Sequence, residues 1–240
     1  MTEAGPEQII APTGIPSAEA FGTPSVDIRH SIALQHLWNA RHAARLAAEG
    51  EATKDRTNFL AVRGHSMSAV ISAAGFIEAI VNEVFANVAD WQPGHSGREG
   101  LADETVDTMR RRWNGPTFSR YCWVLKKYQI ALTAAGKAKL DTGRQPYKDA
   151  DLLVILRNLL MHYKPPKWQG DKPVLIENEL KNKFPGNQLA PGGLWYLDEC
   201  LGAGCAQWAC TTCVEIVDTW WQTMGIGRPS NTALTDWPDP

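Results

Sequence analysis

Apolar side chains recur along this chain at helical spacing in six segments, and no run of alternating apolar and polar residues marks a sheet. The pattern predicts helices over residues 27–51, 64–91, 101–113, 118–135, 147–163 and 194–224. Turn signals separate them: Pro93-Gly94 and Gly97, then Gly115-Pro116, then Thr142-Gly143. Val174-Leu175-Ile176 reads as a short extended piece in the long loop before the last helix. Residues 1–27, rich in Pro, Gly, Ala and Ser, read as a mobile tail, and residues 226–240 as a second tail. The expectation is an all-α fold, an up-and-down helical bundle over residues 28–225 with a long loop before the last helix.

Composition adds bounds. A chain of 240 residues with 44% hydrophobic and 21% charged residues suits one globular domain. The richest apolar stretch, residues 69–89, is interrupted by Glu78, Asn82 and Glu83, so no membrane span is expected. The N-terminus carries acids and prolines where a secretory signal has a basic start, which makes the cytoplasm the expected compartment. Charge is uneven: residues 1–100 balance at −4, residues 101–183 at +7 and the remainder at −5. The basic middle holds Arg110-Arg111-Arg112 and Lys126-Lys127, a patch suited either to an anionic polymer or simply to water.

The fifth predicted helix stands apart. Leu152, Leu153, Ile155, Leu156, Leu159 and Leu160 make it too apolar for an exposed surface, yet it ends on Arg157, Asn158 and His162. Arginine is seldom buried without a partner, and histidine changes charge most readily near neutral pH. At 3.6 residues per turn Asp151, Asn158 and His162 share a stripe about 40° wide, with Arg157 about 100° from Asn158. Pro165-Pro166 ends the helix just after His162, leaving the imidazole in the last turn, where the macrodipole favours a cation. Such a set can grip phosphate and move protons.

This run resembles the signature of the HEPN family, all-helical domains many of which are metal-independent ribonucleases. The family pattern is an arginine, a polar residue directly after it and a histidine about five positions on; here these are Arg157, Asn158 and His162. The segment 66–85 is similar to an earlier family helix that carries a glutamate four residues before an asparagine, matched by Glu78 and Asn82. In element order the resemblance spans about residues 28–224. It implies a homodimer in which two signature helices meet and each active site is composite. It also implies RNA cleavage by 2′-OH attack, giving a 2′,3′-cyclic phosphate, without metal or other cofactor. His162 would then move protons, Arg157 hold the phosphate, Asn158 orient them, and Glu78 and Asn82 position the group. A role as a toxin or antiphage-defence effector, with an antitoxin protein as a further partner, follows from the same resemblance. Some family toxins carry a tyrosine two residues beyond the histidine that an antitoxin modifies; here that position is Lys164, with Tyr163 before it.

Tyr163, Lys164, Lys167 and Trp168 interleave cations with aromatics, a combination that binds single-stranded RNA, although Trp168 also suits packing of the loop onto the bundle. The other reading is a non-catalytic helical dimer that binds RNA, a nucleotide or a protein partner, with Arg157, His162 and Glu78 in a buried polar network. Rival chemistries fit less well. Cys200, Cys205, Cys210 and Cys213 point several ways round a helix and read as small core residues, and His30, His36 and His42 recur every six residues, off any common face. Gly64-His65-Ser66-Met67-Ser68 lacks the closing glycine of a nucleophile elbow, and Gly202-Ala203-Gly204 lacks the third glycine of a dinucleotide loop. Asp149 and Asp151 suit the helix dipole better than catalysis.

Overall fold

Helix α1, Ala33–Ala52, places Ala33, Leu37, Ala40, Ala44 and Ala47 on one face at spacings of four and three. Its small side chains lie against α2, Phe59–Asp90, a 32-residue helix whose own inward face includes Ala69, Val70, Ala73, Phe76, Ile77, Ile80 and Val84. Small residues allow the two axes to come close. A Cβ at Gly75 would stand 2.9 Å from His36 Nδ1, and one at Gly50 2.8 Å from Val62. The remaining helices are α3 (Asp103–Trp113), α4 (Val124–Ala134), α5 (Tyr147–Met161), the single turn α6 (Glu177–Leu180) and α7 (Ala203–Met224). This computed structural model describes residues 31–90, 100–118, 122–163, 176–192 and 195–226, all within one compact unit, Ser31–Pro240. Among the described residues there is no strand, and the fold is an all-α bundle.

α2 packs against α1, α3, α4, α5 and α7, so it forms the axis of the bundle. Together with the 3₁₀ turn before it, the stretch Arg56–Asp90 is long and apolar enough to cross a membrane by length and composition. That corrects the expectation that the interrupted run falls short. Here the same surface is core: 61% of its most apolar window is buried within the protein. Trp220 of α7 is wholly buried, edge-on to Tyr128 of α4 at 5.0 Å, and its Nε1 donates to the Tyr128 carbonyl oxygen at 3.2 Å. Tyr128 Oη in turn donates to the Ile77 carbonyl oxygen at 2.7 Å, fixing α4 against α2.

The helix boundaries differ from the pattern in ways the packing explains. α2 begins at Phe59, earlier than residue 64, because Asp55 accepts from the Thr57 N–H and starts a 3₁₀ turn that feeds it. α4 starts at Val124 since Trp123 is extended. The long last helix is broken: a π-helical turn, Trp195–Glu199, precedes Gly202, and α7 begins only at Ala203. The break comes from a close crossing. A Cβ at Gly202 would lie 2.6 Å from Asn187 Cα, and one at Gly204 2.6 Å from the Pro185 carbonyl oxygen. Asn187 closes the crossing by donating from Nδ2 to the Leu201 carbonyl oxygen at 3.0 Å. At the far end Gly225, at φ 68°, terminates α7 in the left-handed conformation. Ile176 lies in the turn before α6; Val174, Leu175 and both predicted tails up to residue 30 and from residue 227 lie outside the described residues.

Two helix N-termini are capped from a distance. Glu83 of α2 accepts from Ile32 N and Ala33 N at 2.9 and 3.1 Å and from the Ser31 hydroxyl at 2.8 Å, at the start of α1. Glu51 of α1 accepts from Ala203 N at 3.1 Å, at the start of α7, and from Gln188 N in the crossing loop. Each carboxylate satisfies donors the helix itself leaves open and complements its dipole. Glu83→Ala is expected to lower the free energy of unfolding by about 1–2 kcal/mol, the range of a lost N-cap, read from urea denaturation. An unchanged midpoint would contradict the capping role.

Candidate functional site

The Ile77–Tyr128 hydrogen bond sets the register that builds the site. One residue along from Ile77 is Glu78, and one residue before Tyr128 is Lys127. Glu78 Oε2 receives Arg157 Nη2 of α5 at 3.0 Å, joining helices 79 residues apart in sequence. Asn82, a turn further along α2, accepts from Lys127 Nζ at 2.8 Å. Lys127 is only 1% exposed, and its ammonium lies 5.8 Å from the centre of the Phe118 ring. Burial pushes its pKa below the ordinary lysine value, with the nearby charges of Glu78 and Cys122 opposing that shift. Two cations thus lie near one carboxylate in a cluster held by α2, α4 and α5.

The Arg157 and Glu78 side chains are 22% and 40% exposed, so the pair itself contributes no more than about 1 kcal/mol. Arg157 Nε is buried with no hydrogen-bond partner. The guanidinium is therefore held by one edge, with hydrogen-bonding capacity left over.

His162 stands apart from this group. It forms the C-cap of α5, its backbone N–H donating to the Asn158 carbonyl oxygen at 2.9 Å, and its side chain is exposed. Among the described residues no hydrogen bond or ion pair links the imidazole to Arg157, Glu78 or Asn82. The expected buried network of Arg157, His162 and Glu78 is thus present only as its Arg157–Glu78 half. Asn158 is half-buried. Tyr163 is exposed, near Tyr196 of the π-helical turn, whose buried hydroxyl lacks a partner and is pushed up to about 12 by burial, then by Cys200 and Tyr163. Lys164, Lys167 and Trp168 lie outside the described residues, as does Pro165-Pro166.

The competing clusters are accounted for by packing. Asp149 is buried and accepts from Lys183 Nζ at 2.6 Å and from Gln145 Nε2 at 2.8 Å, so it anchors the segment after α6. Cys200, Cys205, Cys210 and Cys213 are buried free thiols. Burial raises the Cys210 pKa to about 12 and holds that of Cys213 well above the ordinary thiol value; Cys200 is raised by its hydrogen bond to Cys205 and then by burial, so these three stay protonated. Among the described residues no three His, Cys, Asp or Glu side chains gather as a metal site. His42 stacks on Trp38 at 4.9 Å, and His36 covers Gly75. A cavity of about 600 Å³ lies between α1 and α7 beside Arg41 and Cys210, and another of about 360 Å³ lies beside Phe118. Neither is lined by Arg157 or His162.

Sequence reasoning missed Lys127, which it grouped with Lys126 as surface charge. A signal was present: Val124 and Ala131, three residues before and four after, place position 127 on the buried stripe of α4. Comparison with protein-family models, curated proteins and solved structures gave no match.

Because Lys127 is less readily protonated in the folded chain, unfolding takes up protons below the ordinary lysine pKa of 10.5. The stability of the native chain relative to Lys127→Met should therefore rise as the pH is raised towards the ordinary lysine pKa of 10.5. Paired urea titrations check this, and a difference that stays flat or falls contradicts the burial of a charged ammonium.

Proposed function

We propose that this chain is a metal-independent endoribonuclease of the HEPN type that acts as a homodimer. The carrying observation is that Glu78 and Arg157, drawn from the two helices whose sequences resemble the family pattern, meet as an ion pair at 3.0 Å. Lys127, whose ammonium donates to Asn82 one turn along α2 from Glu78, adds a second cation to the group, which suits a phosphodiester.

In this reaction a ribose 2′-oxygen attacks the adjacent phosphorus as its proton passes to a base. The bond from phosphorus to the 5′-oxygen breaks, and that oxygen takes a proton from an acid. The products are a 2′,3′-cyclic phosphate and a 5′-hydroxyl. His162, exposed at the end of α5, is the proton carrier. Arg157 holds the non-bridging oxygens and the charge that grows on them, and Glu78 fixes the guanidinium so that little reorganisation is needed. Since His162 makes no bond to Arg157 within the chain, the site is completed across a two-fold axis, the imidazole of one copy working with the guanidinium of the other. A role in toxin–antitoxin or antiphage systems, with an antitoxin as protein partner, belongs to this same reading.

One observation favours a second reading. Arg157 is already paired, and its Nε is buried, which suits a side chain that fastens α5 to α2 in a non-catalytic dimer binding RNA, a nucleotide or a protein. Cleavage of a mixed RNA pool in EDTA separates the two. His162→Ala, at an exposed position, should change stability by no more than about 0.5 kcal/mol. On the nuclease reading it lowers the cleavage rate by about 100-fold or more, and Arg157→Ala does likewise. Undiminished cleavage by His162→Ala, or none by the native chain, removes the nuclease reading.

A further inference from the structure

The cavity of about 360 Å³ beside the end of α3 is walled by Arg111, Arg112, Thr117, Phe118, Lys126 and Ile130. Helix α3 ends on three arginines, and one of them explains the helix end by itself. Arg110 donates from Nε to the Ala89 carbonyl oxygen at 2.9 Å and pairs with Asp107 at 3.1 Å. Arg111 donates only to the Thr108 hydroxyl, at 3.3 Å, and Arg112 and Lys126 meet no carboxylate among the described residues. Three cations therefore border one cavity with no acid among the described residues of its wall. A bound anion would supply the counter-charge that these residues do not.

The chemistry of the wall narrows the ligand. Two guanidinium groups present planar forks that match phosphate oxygens, and the ammonium adds a point charge. Thr117 supplies a hydroxyl, while Phe118 and Ile130 offer an apolar side to a sugar or base. The volume lies at the lower end of the range of about 300–1,000 Å³ for small-molecule sites. We infer that this cavity binds the phosphate of a nucleotide unit, supplied by a free nucleotide or by an RNA strand. It uses neither Arg157 nor His162, so it stands whether or not the chain cleaves RNA. It also adjoins the candidate site, because Phe118 in its wall is the ring under Lys127, which holds Asn82.

Uridine monophosphate by calorimetry and a fluorescein-labelled single-stranded RNA by anisotropy are the probes. Both are titrated against the native chain, an Arg112→Gln/Lys126→Gln double variant, and Arg144→Gln, which alters an exposed arginine paired with Asp141. Whichever probe the native chain binds should bind the double variant about tenfold or more weakly, at an unchanged melting temperature. For RNA, the slope of log affinity against log salt should also fall in magnitude by about 1–2. Loss confined to the mononucleotide identifies a free nucleotide as the ligand; loss with the RNA alone identifies the strand. The inference is overturned if the native chain binds neither probe, if the double variant binds as the native chain does, or if Arg144→Gln weakens binding as much. Native binding through the cavity without any cleavage upholds the inference and removes only the ribonuclease reading.

Discussion

Three half-buried polar side chains of the 32-residue helix α2 bond to the elements packed round it, and these ties organise the molecule. Glu83 reaches the N-terminus of α1, Asn82 takes the ammonium of Lys127 from α4, and Glu78 takes the guanidinium of Arg157 from α5. Six positions thus tie three helices to one axis. The apolar core, Ile77, Tyr128 and Trp220 among it, supplies non-directional adhesion; the polar ties choose the register. The candidate site is a by-product of the same choice, since the residues next to the Ile77–Tyr128 bond are Glu78 and Lys127.

The cluster gathers two cations round one carboxylate in a chain of net charge −2. Lys127 is desolvated, which lowers its pKa, while the nearby charge of Glu78 opposes that shift and Asn82 accepts from its ammonium. Arg157 is held from one side. On the proposed reading a phosphate meets a prearranged field here, the condition under which a fixed cation contributes to catalysis most. His162 is exposed at the end of α5, and among the described residues no hydrogen bond or ion pair links its imidazole to Arg157, Glu78 or Asn82. On the proposed reading a second copy of the chain joins the two.

Much of this architecture was legible in the residues. Helical periodicity placed every long helix, because each has to present a continuous apolar stripe to α2, and the paired motifs brought Glu78 and Arg157 to attention before their contact was seen. What was hidden depends on contacts distant in sequence. The break before α7 is imposed by Asn187 and Pro185 pressing on Gly202 and Gly204, and no local pattern announces a crossing of that kind. The early start of α2 rests on a small capping turn at Asp55. Lys127 was concealed by its neighbour Lys126, since two adjacent lysines look alike in composition while one faces water and the other the core. The apolar run in α2 misled in the other direction: its charges were read as interruptions, whereas they are the ties.

The fragment ends left after incubating RNA with the native protein in EDTA test the central claim most directly, because the ends record which oxygen attacked. Attack by the 2′-oxygen under Arg157 and His162 predicts 2′,3′-cyclic phosphate on one fragment and a 5′-hydroxyl on the other. Fragments ending in 3′-hydroxyl and 5′-phosphate would contradict it, as would RNA recovered intact.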